Sequence, residues 1–472
     1  MKAAYFLSQR LGFSNAQAAT IETLGVENFV KKSFETPLSI DTPKFMDDAP
    51  KTRAEYRDLR KMGEMEKRKA VIAEGLRIAG LSYAWVERMH TDAYPLREKM
   101  TLFWHNHFVS SFKKTKVSWA MWEQNRLFRE MAFGNYRELT RRILTDNAMI
   151  AYLDNTQNRA KAPNENLSRE LLELFTLGVG NYSETDIKEG SRALAGLNID
   201  DGNARYYKIW EDNGDKTYLG KRGNWKADDL VRLIFEHPRA GRRLMEKFLK
   251  YFMTDTPSVQ LVEEYTLAFR KADFELKPML GKLVKDARFM SSQGDKIKDP
   301  VGFLLTTLHE FQLGTPPARQ LVQYFKEQDM MLFNPPNVKG WDGGTSWLSS
   351  QKLLQRCGVV ATLASGKSLD NFRFKPKQVM VADDMEMDDA AMFSKTKNEQ
   401  KLPILKWDKS LTNNKLIIQG LAERLIFTVS KDMQTDMEQV LKYDFNPSEM
   451  NAQQAVTRLV EYMMKSPEYQ LC

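Results

Sequence analysis

Asn164-Glu165-Asn166-Leu167-Ser168-Arg169-Glu170-Leu171-Leu172-Glu173-Leu174-Phe175-Thr176-Leu177-Gly178 is the stretch on which the fold turns. At about 100° per residue, Glu165, Asn166, Arg169, Glu170, Glu173 and Thr176 fall on one arc, and Leu167, Leu171, Leu174 and Phe175 on the other. This spacing predicts one amphipathic helix over Asn164–Leu177, with Gly178 in the left-handed C′ position. Ser183, with Asp186 three residues later, starts the next helix in the manner of a capping box. The same period recurs outward in both directions. It reads as helix over 95–113, 118–133 and Leu139–Leu153, and again over 227–236, 238–253, 258–272, 276–289, 298–313 and 317–331. Helices at 350–364, 413–430, 434–443 and 450–466 close the chain. Only 25 Gly and 17 Pro are spread over 472 residues, which leaves few breaks in this pattern.

Residues 196–224 depart from it. Asp200-Asp201-Gly202-Asn203 and Asp212-Asn213-Gly214-Asp215 are turn signals around the β-formers of Arg205–Trp210 and Lys216–Leu219. The expected architecture is therefore mostly α. A single large multi-helical domain spans 1–472 and carries a small inserted β-ribbon at 196–224. Residues 366–409 read as a variable surface insertion, because the acidic run Asp383–Asp389 lacks the Gly and Glu spacing of a calcium loop.

Composition bounds the function. Seventy Lys plus Arg against sixty-two Asp plus Glu leave a net +8, and the two signs are mixed along the chain, which argues against a nucleic-acid binder. No apolar run of about 18 residues is present, so no transmembrane segment is expected. Cys357 and Cys472 form no metal or disulfide framework. Lys2 and Arg10 flank too short an apolar stretch for a signal peptide, so the start reads as a first helix.

Three constellations could carry chemistry. His105 and His107 lie two apart in Phe103-Trp104-His105-Asn106-His107-Phe108. On a helix they point about 200° apart and cannot share a metal, so one faces the core and the other a cleft or a neighbouring element. Next, Glu165, Arg169, Glu170 and Glu173 form either an ordinary ion-paired face or, if it lines a pocket, a general acid with an anionic partner. Finally, the Phe333–Trp347 loop holds Trp341 and Trp347, as packed anchors or as platforms for sugar faces. The chain lacks a Gly-x-Ser-x-Gly elbow, a Walker loop and a His-Glu-x-x-His motif.

Several strings together resemble one family. They are Arg97–Phe108, Ala148-Met149-Ile150-Ala151-Tyr152-Leu153-Asp154-Asn155, Asn164–Gly178, Phe333–Trp347 and Ser466-Pro467-Glu468-Tyr469-Gln470. The chain is identified on these strings as similar to the bacterial "domain of unknown function 1800" family, from Ala4-Tyr5-Phe6-Leu7 to the last helix. The resemblance implies export to the periplasm or cell surface for many members, and a neighbouring sulfatase/phosphatase-like protein as partner. It implies no reaction and no cofactor. Two departures stand out: Glu211-Asp212 replaces a His-Asp pair in the ribbon, and Leu197 replaces a tryptophan after Arg192-Ala193-Leu194-Ala195-Gly196.

The reading favours metal-independent acid/base chemistry on a polar or carbohydrate substrate of the envelope. Its expected catalytic residues are His105, His107, Glu165, Arg169, Glu170 and Glu173, and Asp154, Asn164, Asn166, Trp341 and Trp347 are expected to contact substrate. The alternative is a non-catalytic helical scaffold binding the sulfatase-like protein or a glycan. Arg169 is expected to be buried on a carboxylate, and one of the two histidines to reach the Asn164–Glu173 helix.

Overall fold

A computed structural model describes residues 2–369, 405–441 and 451–472, apart from positions 60, 62, 201, 406, 409 and 412. Most of the segment 366–409 therefore lies outside the described residues. The chain is mostly α, with two small antiparallel hairpins among the described residues.

The helices follow the apolar period, with breaks where a capping side chain intervenes. The stretch read as one helix over Leu139–Leu153 is two, Tyr136–Leu144 and Asn147–Tyr152. Asp146 divides them, because its carboxylate accepts from Met149 N at 2.8 Å and starts a new helix. Ser183 and Asp186 form the expected capping box on Glu184–Ala193, and Gly178 is left-handed at φ +83°.

The predicted ribbon is two separate hairpins. Leu197–Asn198 pairs with Arg205–Tyr206, and Lys216–Tyr218 pairs with Lys221–Gly223. The tight turn of the second hairpin is Leu219-Gly220, both at positive φ, rather than the Asp212–Asp215 stretch. That stretch instead wraps the buried Lys216 ammonium, which donates to Asp212 O at 2.6 Å, Gly214 O at 2.8 Å and Asn224 Oδ1 at 2.9 Å.

Two apolar cores form. One gathers Lys2–Leu11, Tyr136–Leu144 and the helices between 227 and 289. The other gathers Glu64–Thr91, Pro300–Glu310, Ser350–Ala364 and Ala452–Lys465. Helix Leu96–His107 serves both: Met100, Phe103 and Trp104 enter the first core and Leu102 the second. It is buried nearly all round, as a helix between two cores must be. Its one buried acid, Glu98, is matched by the fork of Arg129 at 2.7 and 2.9 Å.

A candidate cleft of basic side chains

The segment that decides the fold does not keep one helical period. Asn166–Glu170 is α-helical, but Leu171–Thr176 is a π-helical turn, closed by Leu177 N to Leu172 O at 2.9 Å. The wider turn shifts the register of everything after Glu170. Thr176, expected on the polar arc, is buried, and its hydroxyl donates back to Leu171 O at 2.5 Å. Glu173 is carried away from Arg169 and accepts from the Tyr182 hydroxyl at 3.2 Å.

The polar residues before the π-turn stay on the outer surface. Arg169 bonds Glu165 at 3.1 Å and Glu184 at 2.9 Å, and 35% of its side chain remains exposed. It is not the buried arginine expected, because the partner that completes the pair, Glu184, stands on an exposed helix start. Asp154 accepts from Lys114 at 2.7 Å and from Asn166 at 3.3 Å, and Asn164 caps Asn166 N. Glu170 is half-buried. Desolvation and the nearby Glu173 carboxylate raise its pKa, offset by Arg169 and Lys339.

The end of the same segment lines a cleft of about 880 Å³ that opens between the two cores. Glu173, Leu174 and Leu177 contribute from the π-turn and its end, and Asn106 and His107 from the helix between the cores. Trp341 and Trp347 stand opposite, each about 5% exposed and packed into the second core. They are anchors whose edges also line the cleft. Asn106 fixes the tryptophan loop: its Oδ1 accepts from Trp341 N at 2.7 Å and its Nδ2 donates to Trp341 O at 3.3 Å. Gly340 sits against Asn106 at φ +88°, where a Cβ would overlap the asparagine.

The two histidines divide as their spacing requires. His105 is sealed among Trp85, Phe128, Phe333 and Trp341, and its Nε2 accepts from Phe333 N at 3.2 Å. Burial pushes its pKa down to about 3, so it stays neutral and structural. His107 lines the cleft. Its Nε2 lies 3.1 Å from Phe175 O, a carbonyl that can only accept and that also receives the Tyr136 hydroxyl. Nε2 therefore carries the ring proton, and Nδ1 holds a lone pair with no partner among the described residues. Burial, then the charges of Lys247 and Arg243, hold its pKa well below the usual histidine range. Through Phe175, His107 touches the π-turn itself.

The charge lining the cleft was not singled out by the sequence reading. Nine basic residues line it (Arg10, Lys99, Arg242, Arg243, Lys247, Lys250, Lys296, Lys298 and Lys339), against five acidic ones (Glu173, Glu246, Asp255, Asp299 and Asp342). Some are paired, as Lys296 with Asp255 at 2.6 Å and Lys250 with Glu246 at 2.9 Å. Others are not. Arg10, fully buried, donates to the backbone oxygens of Phe252, Met253, Ser292 and Cys472, at 2.7–2.9 Å, and the negative charges of Cys472 and Asp255 act on it. Lys298 donates to Tyr469 O at 2.7 Å and lies 3.8 Å over the Tyr469 ring. Burial lowers its pKa to about 7. Lys247 has no hydrogen-bond or ion-pair partner among the described residues. Desolvation, then the Arg243 charge one turn before it, lower its pKa to about 7. Trp341 Nε1 and Arg243 Nε are buried donors without acceptors. Arg243, Lys247 and Lys250 recur at helical spacing on Arg242–Phe252 and lie on the face opposite Leu244, Phe248 and Phe252. In sequence that is the signature of a solvated face, which is why it carried no signal.

Among the described residues, no group of three or more His, Cys, Asp or Glu is placed to hold a metal ion, and no helix is long and apolar enough to cross a membrane. Residues 6–471 match the family described as "Protein of unknown function (DUF1800)". No curated protein and no solved structure matches the chain.

Proposed function

We propose that this chain, which belongs to the DUF1800 family, is an acid/base enzyme acting on an anionic polar substrate, a carbohydrate bearing carboxylate, phosphate or sulfate groups. The observation that carries the reading is the surplus of basic side chains in the cleft, of which Lys247 and Lys339 have no hydrogen-bond or ion-pair partner among the described residues. A concave, low-dielectric wall of one sign focuses its field and raises the local concentration of ligands of the other sign. The tryptophan edges and the free indole donor of Trp341 suit the apolar faces and oxygens of a sugar.

His107 is the proton acceptor in this reading. Its buried Nδ1 has no hydrogen-bond partner among the described residues, and its Nε2 proton is pinned on Phe175 O, so the ring is held in one tautomer. An anion bound beside Lys247 and Arg243 would cancel the second cause that depresses its pKa and move the ring toward useful basicity. Of Glu165, Glu170 and Glu173, Glu173 is the carboxylate that lines the cleft, and it serves as the partner acid/base group. Asp154, Asn164, Glu165, Asn166 and Arg169 support the segment from outside.

The test is a screen of uronate-containing, sulfated and phosphorylated oligosaccharides beside their neutral counterparts, with binding by calorimetry and products by chromatography. Turnover of an anionic glycan that is lost in His107→Gln while binding persists supports the proposal. Equal binding of neutral and anionic glycans, or turnover that survives His107→Gln and Glu173→Gln together, contradicts it. Anion-selective binding with no turnover moves the reading to a non-catalytic glycan binder.

A further inference from the structure

A second cavity, of about 640 Å³, shares no lining residue with the cleft. Its wall is built from the turn at Lys51, Thr52 and Glu55, the helix Ser118–Glu130, the junction of Tyr136–Leu144 with Asn147–Tyr152, and the turn of the first hairpin. The charge on this wall is closed. Arg126 pairs with Glu123 at 2.8 Å, Arg142 with Glu130 at 3.0 Å and Arg141 with Glu138 at 2.7 Å. The Lys51 ammonium lies 5.1 Å from the centre of the Trp119 ring. Burial pushes the Asp146 carboxyl up to about 7, so it carries less than a full charge near neutrality. Unlike the cleft, such a wall selects neither sign of ion.

Its hydrogen bonding, by contrast, is left open. Thr115 is 3% exposed, and its hydroxyl has no partner among the described residues. Asn147 donates from Nδ2 to Asp200 O and Gly202 O, and its buried Oδ1 accepts nothing among the described residues. Gln124 Nε2 and Met149 N both bond Oδ1 of Asp146, and no hydrogen bond reaches its Oδ2 among the described residues. The Trp119 Nε1 donor also has no acceptor among them. Buried polar groups are normally satisfied, so a hydroxyl, two acceptors and a donor left together on one wall call for a ligand that supplies both kinds of bond.

We infer that this cavity is a second ligand site and that it takes a neutral sugar. A sugar hydroxyl donates and accepts from one atom, which matches this mixture of groups. Trp119, Ala120, Ala151 and Ile199 give apolar surface for the C–H faces of a pyranose ring. The volume is that of pockets which enclose small ligands. The site does not depend on the anion-binding role of the cleft.

The probes are cellobiose, maltose and diacetylchitobiose, titrated into the whole protein and followed by saturation-transfer NMR. At least one should bind the wild type, and sulfate should not displace it. Thr115→Val keeps the shape of the side chain and removes a hydroxyl that bonds nothing, so its melting temperature should equal or exceed that of the wild type. Its affinity for the sugar should fall about fivefold, and Trp119→Phe, which removes the indole donor, should weaken binding by a similar factor. Lys247→Met, in the cleft, should leave the affinity unchanged. Binding of none of the three disaccharides, or binding that Thr115→Val and Trp119→Phe leave intact, would overturn the inference. So would a sugar displaced by sulfate or lost in Lys247→Met, since it would then sit in the cleft. A melting temperature lowered by several degrees in Thr115→Val would show that the hydroxyl is already satisfied by an ordered water, with the same consequence. With this cavity disabled by Thr115→Val, the preference of the cleft for anionic glycans is read alone, so the two sites stand or fall separately.

Discussion

The outer face around Arg169 and the cleft around Lys247 are both built on one short segment, Asn166–Thr176, and both are crowded with charge. They differ in how the charge is balanced. On the outer face Arg169 closes on Glu165 and Glu184, and Asp154 on Lys114 and Asn166. In the cleft, Arg10 has backbone oxygens and no ion pair with a side-chain carboxylate, Lys298 a carbonyl and a ring, and Lys247 no partner among the described residues. A closed network in water has no need of a ligand. Uncompensated charge in a partly dry concavity is relieved when an anion enters. Charge density alone did not separate the two regions; unmet charge does.

The sharpest break of the comparison uses one residue type in both places. Arg10→Met strands four backbone oxygen acceptors and should cost about 4 kcal/mol in urea unfolding, whereas Arg169→Met should cost under about 1 kcal/mol. Equal losses at the two positions would erase the distinction.

Acid provides the next contrast. His107 stays neutral in the fold, while the unfolded chain takes up its proton at the ordinary histidine pKa. A depressed folded pKa of this kind gives stability that is present above about pH 6.5 and lost as the pH falls below it. Removing the group with His107→Gln should therefore flatten the fall in stability below about pH 6.5, by at most roughly 1.4 kcal/mol per pH unit. On the outer face, Arg169 holds the Glu184 carboxyl below its usual range, so that contribution is also lost in acid. Glu184 is fully exposed, and Glu184→Gln should leave the slope almost unchanged.

These contrasts also mark what the sequence could reveal. The helices were legible because apolar residues repeat at helical spacing, and the capping box because Ser183 and Asp186 stand three apart. The opposed roles of His105 and His107 followed from their 200° separation. The π-turn was not legible, since nothing in Leu171–Thr176 distinguishes it from an α-helix, and that one change of period separated Glu173 from Arg169. The basic lining was hidden for another reason. Arg10, Lys99, Lys247 and Lys298 come from four distant segments, each locally mixed with apolar residues or opposite charge, and only packing collects them.

Alkali should act on the cleft alone. Lys247 and Lys298 have pKa values lowered to about 7, so both lose their charge as the pH rises through neutrality. Affinity for an anionic glycan should fall by about 2 kcal/mol, near thirtyfold, between pH 6 and 9 at constant ionic strength. Affinity that is flat over that range would mean that neither lysine meets the ligand.

The most direct measurement is a calorimetric titration of a sulfated or uronate-containing oligosaccharide into wild type, Lys247→Met and Arg169→Met at pH 6.5 and fixed salt. The account predicts about a tenfold loss of affinity, ~1.4 kcal/mol, in Lys247→Met and none in Arg169→Met. A loss confined to Arg169→Met would place the site on the outer face and contradict it.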